Sequence, residues 1–250
     1  MKNKILYLIY PLMLLVGCAA EEYLEVPTPN PLFSNIDAVF GDDADRKVSP
    51  YQEVMEQVIG TDLLVYSFGD GRYTVKIPER WIMFNIQGEE LNTAYANGGD
   101  FMAEYVGYQE LAELIMDFDI QKMRTSGVQL FGYFDQDVYL NPKTSMNVLI
   151  EPRPEGFDFH LVPNNFYNQI VDVVGDENIV IRKSPDGQNY EVLYAIVVND
   201  IEMGFDFYFL NFGDEIVTIA FSGEPIRVVN YNTAFGKIAS SVVDLNTKGE

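Results

Sequence analysis

The sequence predicts an α+β fold, an antiparallel sheet covered by helices on both faces in an α/β/α sandwich, and three observations carry that prediction. Successive apolar segments in the C-terminal third are joined by short turns, which is the pattern of an antiparallel meander. In the segment Tyr190 to Val198, the face with Tyr190, Val192, Tyr194 and Ile196 is matched by Leu193, Ala195 and Val197 on the other. A sheet with two apolar faces has to be covered on both sides. Other segments carry apolar residues at helical spacing, led by Leu111, Leu114, Ile115 and Phe118, and these supply the cover.

Taken in order, the chain opens on Lys2 and Lys4, followed by 12 apolar residues from Ile5 to Val16. A membrane-spanning helix needs roughly 20, so residues 1–17 read as a secretory signal peptide. The four residues Leu15-Val16-Gly17-Cys18 resemble the lipobox of bacterial lipoproteins at every position. That resemblance implies cleavage before Cys18, a diacylglycerol thioether on its sulfur and acylation of the new amine. A single acyl chain holds marginally, at roughly 0.8 kcal/mol per buried methylene, whereas two or more anchor stably. Cys18 is the only cysteine and Ala19 follows it. In Gram-negative lipoproteins a residue other than aspartate there favours the outer membrane. The bilayer is therefore the first expected partner.

Removing residues 1–17 leaves 14 basic against 38 acidic side chains, a net charge near −24. Such a surface repels phosphate backbones, which argues against nucleic-acid binding. No intrachain disulfide can form once Cys18 carries lipid, and a chain of this length needs none to build a core. With 17 phenylalanines, 16 tyrosines and 48% hydrophobic residues, the body reads as globular.

Residues 18–49 read as an acidic, proline-rich tether. Pro27, Pro29 and Pro31 favour extended backbone, and Asp42, Asp43 and Asp45 follow, giving a spacer with a reach of roughly 30 Å. The segment Val39 to Lys47 resembles one preceding the catalytic domain of some bacterial trypsin-like proteases, but the rest of that pattern is absent. As a calcium loop begun at Asp42 it has Lys47 where the turn requires glycine. A solvated charge run is the simpler reading of these aspartates, and a cation-binding module the sharper one.

Residues 50–250 read as a single globular domain. Ser49, Pro50 and Gln52 mark a helix start, with Val54, Met55, Val58 and Ile59 on one face and Gly60 as the stop. Leu63 to Phe68 and Arg72 to Ile77 then form a hairpin across Gly69-Asp70-Gly71, with Tyr73, Val75 and Ile77 facing inward. The helix through Leu111 and Phe118 runs on towards Lys122 and Arg124, with Gly127 beyond it. Val128 to Phe134 and Ser145 to Ile150 read as strands. A further helix from Asn164 or Asn165 buries Tyr167, Ile170, Val171 and Val174 before Gly175. Ile179 to Lys183, Tyr190 to Val198, Ile201 to Leu210 and Ile216 to Phe221 make the meander. The last helix carries Tyr231, Phe235, Ile238 and Val242.

The run Arg72-Tyr-Thr-Val-Lys-Ile-Pro-Glu-Arg-Trp81, the aromatic strand Gly204-Phe-Asp-Phe-Tyr-Phe209, the strand Glu215 to Phe221 and a helix ending in Ser240-Ser241 resemble PsbP/Mog1-like domains. The resemblance spans roughly residues 63 to 245. It implies an α/β/α sandwich in a family whose members mostly bind or assist other proteins and share no catalytic residues, so no active site is carried over from it.

Motifs for chemistry are sparse. There is no Gly-Asp-Ser-Gly, no Gly-x-Ser-x-Gly, no phosphate loop and no Cys/His cluster, and the only histidine is His160. His160 reads as a lone histidine at a strand edge, Trp81 as core rather than a ligand platform, and Asp100 as a helix N-cap. Asp117 and Asp119 flank Phe118 and point to different helix faces, so they are no acid and base pair. The chain therefore carries no expected catalytic, metal or cofactor residues. The expected function is that of a non-catalytic envelope lipoprotein that binds a protein partner or supports an envelope assembly. The alternatives are a hydrolase using two carboxylates and the cation-binding module.

Overall fold

The hairpin forms where the alternation places it. Strand β1 (Leu63–Phe68) passes through three left-handed residues, Gly69, Asp70 and Gly71, into β2 (Tyr73–Pro78). Tyr73, Val75 and Ile77 are fully buried. The protein is described by a computed structural model over residues 62–246, except 176–177, 185–186 and 199–200. Cys18, the tether over 18–49 and the helix expected over 50–60 lie outside the described residues.

After β2 the chain forms β3 (Trp81–Asn85) and four short helices: α1 (Glu89–Asn97), α2 (Gly99–Val106), α3 (Gln109–Met116) and α4 (Ile120–Thr125). It continues through β4 (Val128–Phe134), β5 (Ser145–Pro152), α5 (Val162–Val174), β6 (Ile179–Lys183), β7 (Asn189–Val198), β8 (Ile201–Asn211) and β9 (Glu215–Gly223). It closes with α6 (Pro225–Ser240) and β10 (Val243–Asp244). Among the described residues the strands make a seven-stranded antiparallel sheet in the order β3-β4-β5-β9-β8-β7-β6 and a three-stranded sheet in the order β1-β2-β10.

Both faces of the large sheet are covered, as the two-sided apolar pattern requires. On the first face, Val228, Tyr231, Phe235 and Ile238 of α6 join Tyr73, Val75 and Ile77 over Met146, Val148, Val217, Ile219 and Phe221. Phe221 and Phe235 stack with ring centroids 3.9 Å apart, and Trp81 packs near both. Gly204 on β8 lets α6 approach, since a Cβ there would stand 2.8 Å from Pro225 Cα.

The second face is covered in two separate parts. Phe166, Ile170 and Val174 of α5 lie over Tyr194, Phe205, Phe207 and Phe209, with Phe166 5.0 Å from Phe207 between ring centroids. Helices α1 to α4 bring Leu91, Met102, Leu111, Ile115 and Met123 onto Phe84, Phe131 and Leu149.

Several sequence expectations are corrected. The helix through Leu111 and Phe118 is two helices, because the Asp119 carboxylate accepts from Lys122 N at 2.9 Å and caps a new start. Asp117 is the C-cap of the preceding one. Asp100 is no cap either. Gly98 takes that position, accepting from Met102 N at 2.9 Å, and Asp100 sits in the first turn, where its charge suits the helix dipole. Helix α5 starts at Val162 rather than Asn164, since Pro163 fits the first turn. Phe166 is fully buried there, while Tyr167 and Val171 are half-buried. Val242 lies beyond α6, which ends at Ser240.

Candidate functional site

The two helical parts on the second face lie to either side of the middle of the sheet, where β5 and β9 pair. Their register there sets Ser145 opposite Ser222, Asn147 opposite Ala220, Leu149 opposite Thr218 and Glu151 opposite Ile216. Side chains of alternate residues share a face, so a seam of small and polar groups runs between two aromatic and aliphatic clusters. At one end the Ser145 and Ser222 hydroxyls hydrogen-bond at 2.8 Å. In the middle Thr218 Oγ1 is buried with no partner. Among the described residues no hydrogen bond reaches the side chain of Asn147 or Glu151.

At the other end the seam opens into a small pocket lined by Glu151, Pro152, Pro154, Phe157, Val162, Phe209 and Ile216, with a cavity volume of about 20 Å³. That is room for about one water, or for the tip of an extended side chain. Burial among these walls pushes the Glu151 carboxyl up to about 7. A half-buried titratable group with no side-chain partner, set in a pocket, is the best candidate for a binding residue in the described part of the chain.

Three other charged groups near the pocket, Arg153, Glu215 and Asp214, have partners. Arg153 donates to Asn211 Oδ1 at 3.1 Å. Glu215 points to the other side of the sheet, where it accepts from Arg72 Nη1 at 2.7 Å and from the Tyr73 hydroxyl. Asp214 also accepts from Arg72, which holds its carboxyl below the usual range.

Buried carboxylates elsewhere are built into the packing. Asp137 is paired with Arg227 at 2.8 Å and accepts from the Thr144 hydroxyl. Asp206, beneath α6, accepts from Tyr208 Oη at 2.9 Å and from Asn232 Nδ2 at 2.8 Å. The same amide donates to Glu191 Oε1 at 2.6 Å, and Arg182 pairs with Glu191 at 3.1 Å. Burial, and then the Glu191 charge, drive the Asp206 carboxyl well above its ordinary range.

His160 lies in a short 3₁₀ turn (Phe159–Leu161) ahead of α5, not at a strand edge, and its Nδ1 is 2.7 Å from Tyr190 Oη. Trp81 is buried in the first-face core. Asp117 and Asp119 are capping residues of two helices. Cys18, Asp42, Asp43 and Asp45 lie outside the described residues. Among the described residues no three His, Cys, Asp or Glu side chains gather as metal ligands, and no helix is long and apolar enough to cross a membrane.

Read as a strand ending at Ile150, the sequence leaves Glu151 out, whereas the strand runs on to Pro152. The signal was present in the alternation Ser145, Asn147, Leu149, Glu151, which puts three polar groups on one face of an otherwise apolar strand.

No protein-family model matches the chain, and no curated protein matches it. Among solved structures it is similar to cyanobacterial PsbP (CyanoP) from Synechocystis sp. PCC 6803, with a TM-score of 0.43 and 16% identity, covering 73% of this chain and 92% of that one. It is also similar to a protein of unknown function from Pseudomonas aeruginosa, with a TM-score of 0.34 and 8% identity, covering 72% of this chain and 96% of that one. These are likenesses of outline, and nothing about function is carried over from them.

Proposed function

We propose that this protein is a lipid-anchored component of the bacterial cell envelope whose α+β domain binds a protein partner and catalyses no reaction. The observation that carries the binding half is the pocket at Glu151. Its lining is one unpartnered acid and six apolar residues. Hydrolysis of a glycan by carboxylates needs two, about 5–10 Å apart across the bond to be cut, and this lining supplies one. One charged group set among apolar walls is instead the composition of a recognition pocket. The anchoring half rests on the match of Leu15-Val16-Gly17-Cys18 to the lipobox, with Ala19 favouring the outer membrane.

Two measurements test this reading. Cells fed radioactive palmitate are expected to label the protein, and Cys18→Ser is expected to abolish the label and release the chain from the membrane fraction. A mature product that stays soluble and unlabelled would overturn the anchor. Cross-linking in intact cells, followed by purification from membranes, is expected to capture one reproducible protein partner. Failure to capture any, across several growth conditions, would overturn the binding role.

A further inference from the structure

The geometry points to the pocket at Glu151 as a socket for a lysine side chain presented by a basic segment of the partner, an inference that rests on the binding role above. The shape and chemistry of the pocket argue together. A cavity of about 20 Å³ admits only the tip of a lysine; Pro152, Pro154, Phe157, Val162, Phe209 and Ile216 offer apolar contact to its last methylene, and Glu151 offers the only charge in the lining. The carboxyl has no hydrogen bond among the described residues. It is half-buried among apolar walls, so it keeps fewer waters than a surface carboxylate, and an ammonium group brings three donors and a positive charge.

The surroundings favour a cation as the occupant. The ionisable groups on the loop 153–160 and beside Ile216 are Arg153, Glu155, Asp158, His160, Asp214 and Glu215. Arg153 is engaged with Asn211, Asp214 and Glu215 with Arg72, and His160 with Tyr190. Asp158 accepts from the His160 backbone amide at 2.9 Å, and Glu155 is exposed. The acids on this loop, Glu155 and Asp158, lie in a chain whose net charge is −22, so a basic segment is drawn to the mouth before it docks. A lysine fits better than an arginine, because the narrow cavity suits a point charge on a flexible stem, whereas a planar guanidinium needs a broader opening.

The test uses the full chain as purified from cells and a tetralysine peptide, followed by ¹³C-methyl NMR of Ile216 and Val162. Saturable shifts of both methyls are expected, with affinity rising about tenfold or more between about pH 5.5 and about pH 8 as Glu151 ionises. Glu151→Gln is expected to lower the affinity at the higher pH about tenfold. The pH rise is expected to persist in His160→Gln, and the Nζ-acetylated peptide is expected not to bind. Equal binding by Glu151→Gln, equal binding of the acetylated peptide, or shifts spread over the whole surface without saturation would each overturn the inference. Its failure is separable from failure of the binding role. If the cross-linked partner is captured equally by wild type and Glu151→Gln, the lysine socket falls while partner binding stands.

Discussion

Asn232 on α6 donates through one amide nitrogen to Asp206 at 2.8 Å and to Glu191 at 2.6 Å, so a single side chain holds two acids of adjacent strands apart beneath a helix. Asp206 is completely buried, and its ordinary ionisation is opposed first by that burial and then by Glu191. The folded state keeps a proton that the unfolded chain has already released, so stability falls as pH rises above the ordinary carboxylate range. Asn232 favours the charged form. Asn232→Leu is therefore expected to destabilise by about 2–4 kcal/mol and to keep the fall in stability above the ordinary carboxylate range, as read by urea unfolding at several pH values.

Arg72 ties three segments together. It pairs with Asp244 of β10 at 2.9 Å, with Glu215 of β9 at 2.7 Å and with Asp214. Hydrogen bonding to Arg72 holds the Asp244 carboxyl below its usual range. A depressed carboxyl contributes stability above its unfolded value and loses it as pH falls through the folded one. Arg72→Ala is expected to lower stability on the order of 1 kcal/mol at neutral pH, discounted for partial exposure. The difference should shrink towards zero in strong acid, and thermal unfolding across pH checks both.

Gly204 is a packing requirement. A methyl there would meet Pro225 Cα at 2.8 Å and Val228 Cβ at 3.2 Å, and the first contact is backbone that cannot swing aside. Gly204→Ala is expected to push the start of α6 off β8 and destabilise by about 1–3 kcal/mol. Gly71→Ala, whose Cβ would meet nothing within 4 Å but whose φ is +83°, is expected to cost only its backbone strain, about 1 kcal/mol. Denaturant midpoints of the two variants separate crowding from conformation.

Glu151 imposes its own pH dependence. Its carboxyl sits at about 7 in the fold against 4.5 in the ordinary case. The unfolded chain ionises first, so stability falls as pH rises from about 4.5 to about 7 and levels above that. Glu151→Gln removes this slope, and near pH 8 it is expected to be more stable than wild type, by up to about 3 kcal/mol. If Glu151→Gln has the same slope as wild type, the carboxyl is not desolvated as described.

Most of the architecture was legible because it depends on periodicity. The two apolar faces of β7 required cover on both sides, and α5 and α6 supply it. The alternation of Tyr73, Val75 and Ile77 gave the inward face of β2 directly. Less legible were elements whose signal is short or whose context decides. Strand β3 has only five residues, and Trp81 to Asn85 shows its partner only once β4 is in place. The division between α3 and α4 depends on one carboxylate turning back to a backbone amide at Asp119, while the apolar spacing through Phe118 looks continuous. The seam was hidden for another reason. Polar residues on β5 and β9 acquire meaning only when the helical cover divides above them, and that division is tertiary.

The small sheet has a mechanical consequence. The described body begins at β1, which runs antiparallel to β2 with Leu63 beside Pro78 and Phe68 beside Tyr73, and β2 is held on its far side by β10. Tension between the N-terminus and the large sheet enters the ladder at Leu63 and leaves it at Pro78, both at the open end of the hairpin, so its rungs are loaded one after another from that end. A pull from that end meets a zipper, whose last rung is Phe68 beside Tyr73.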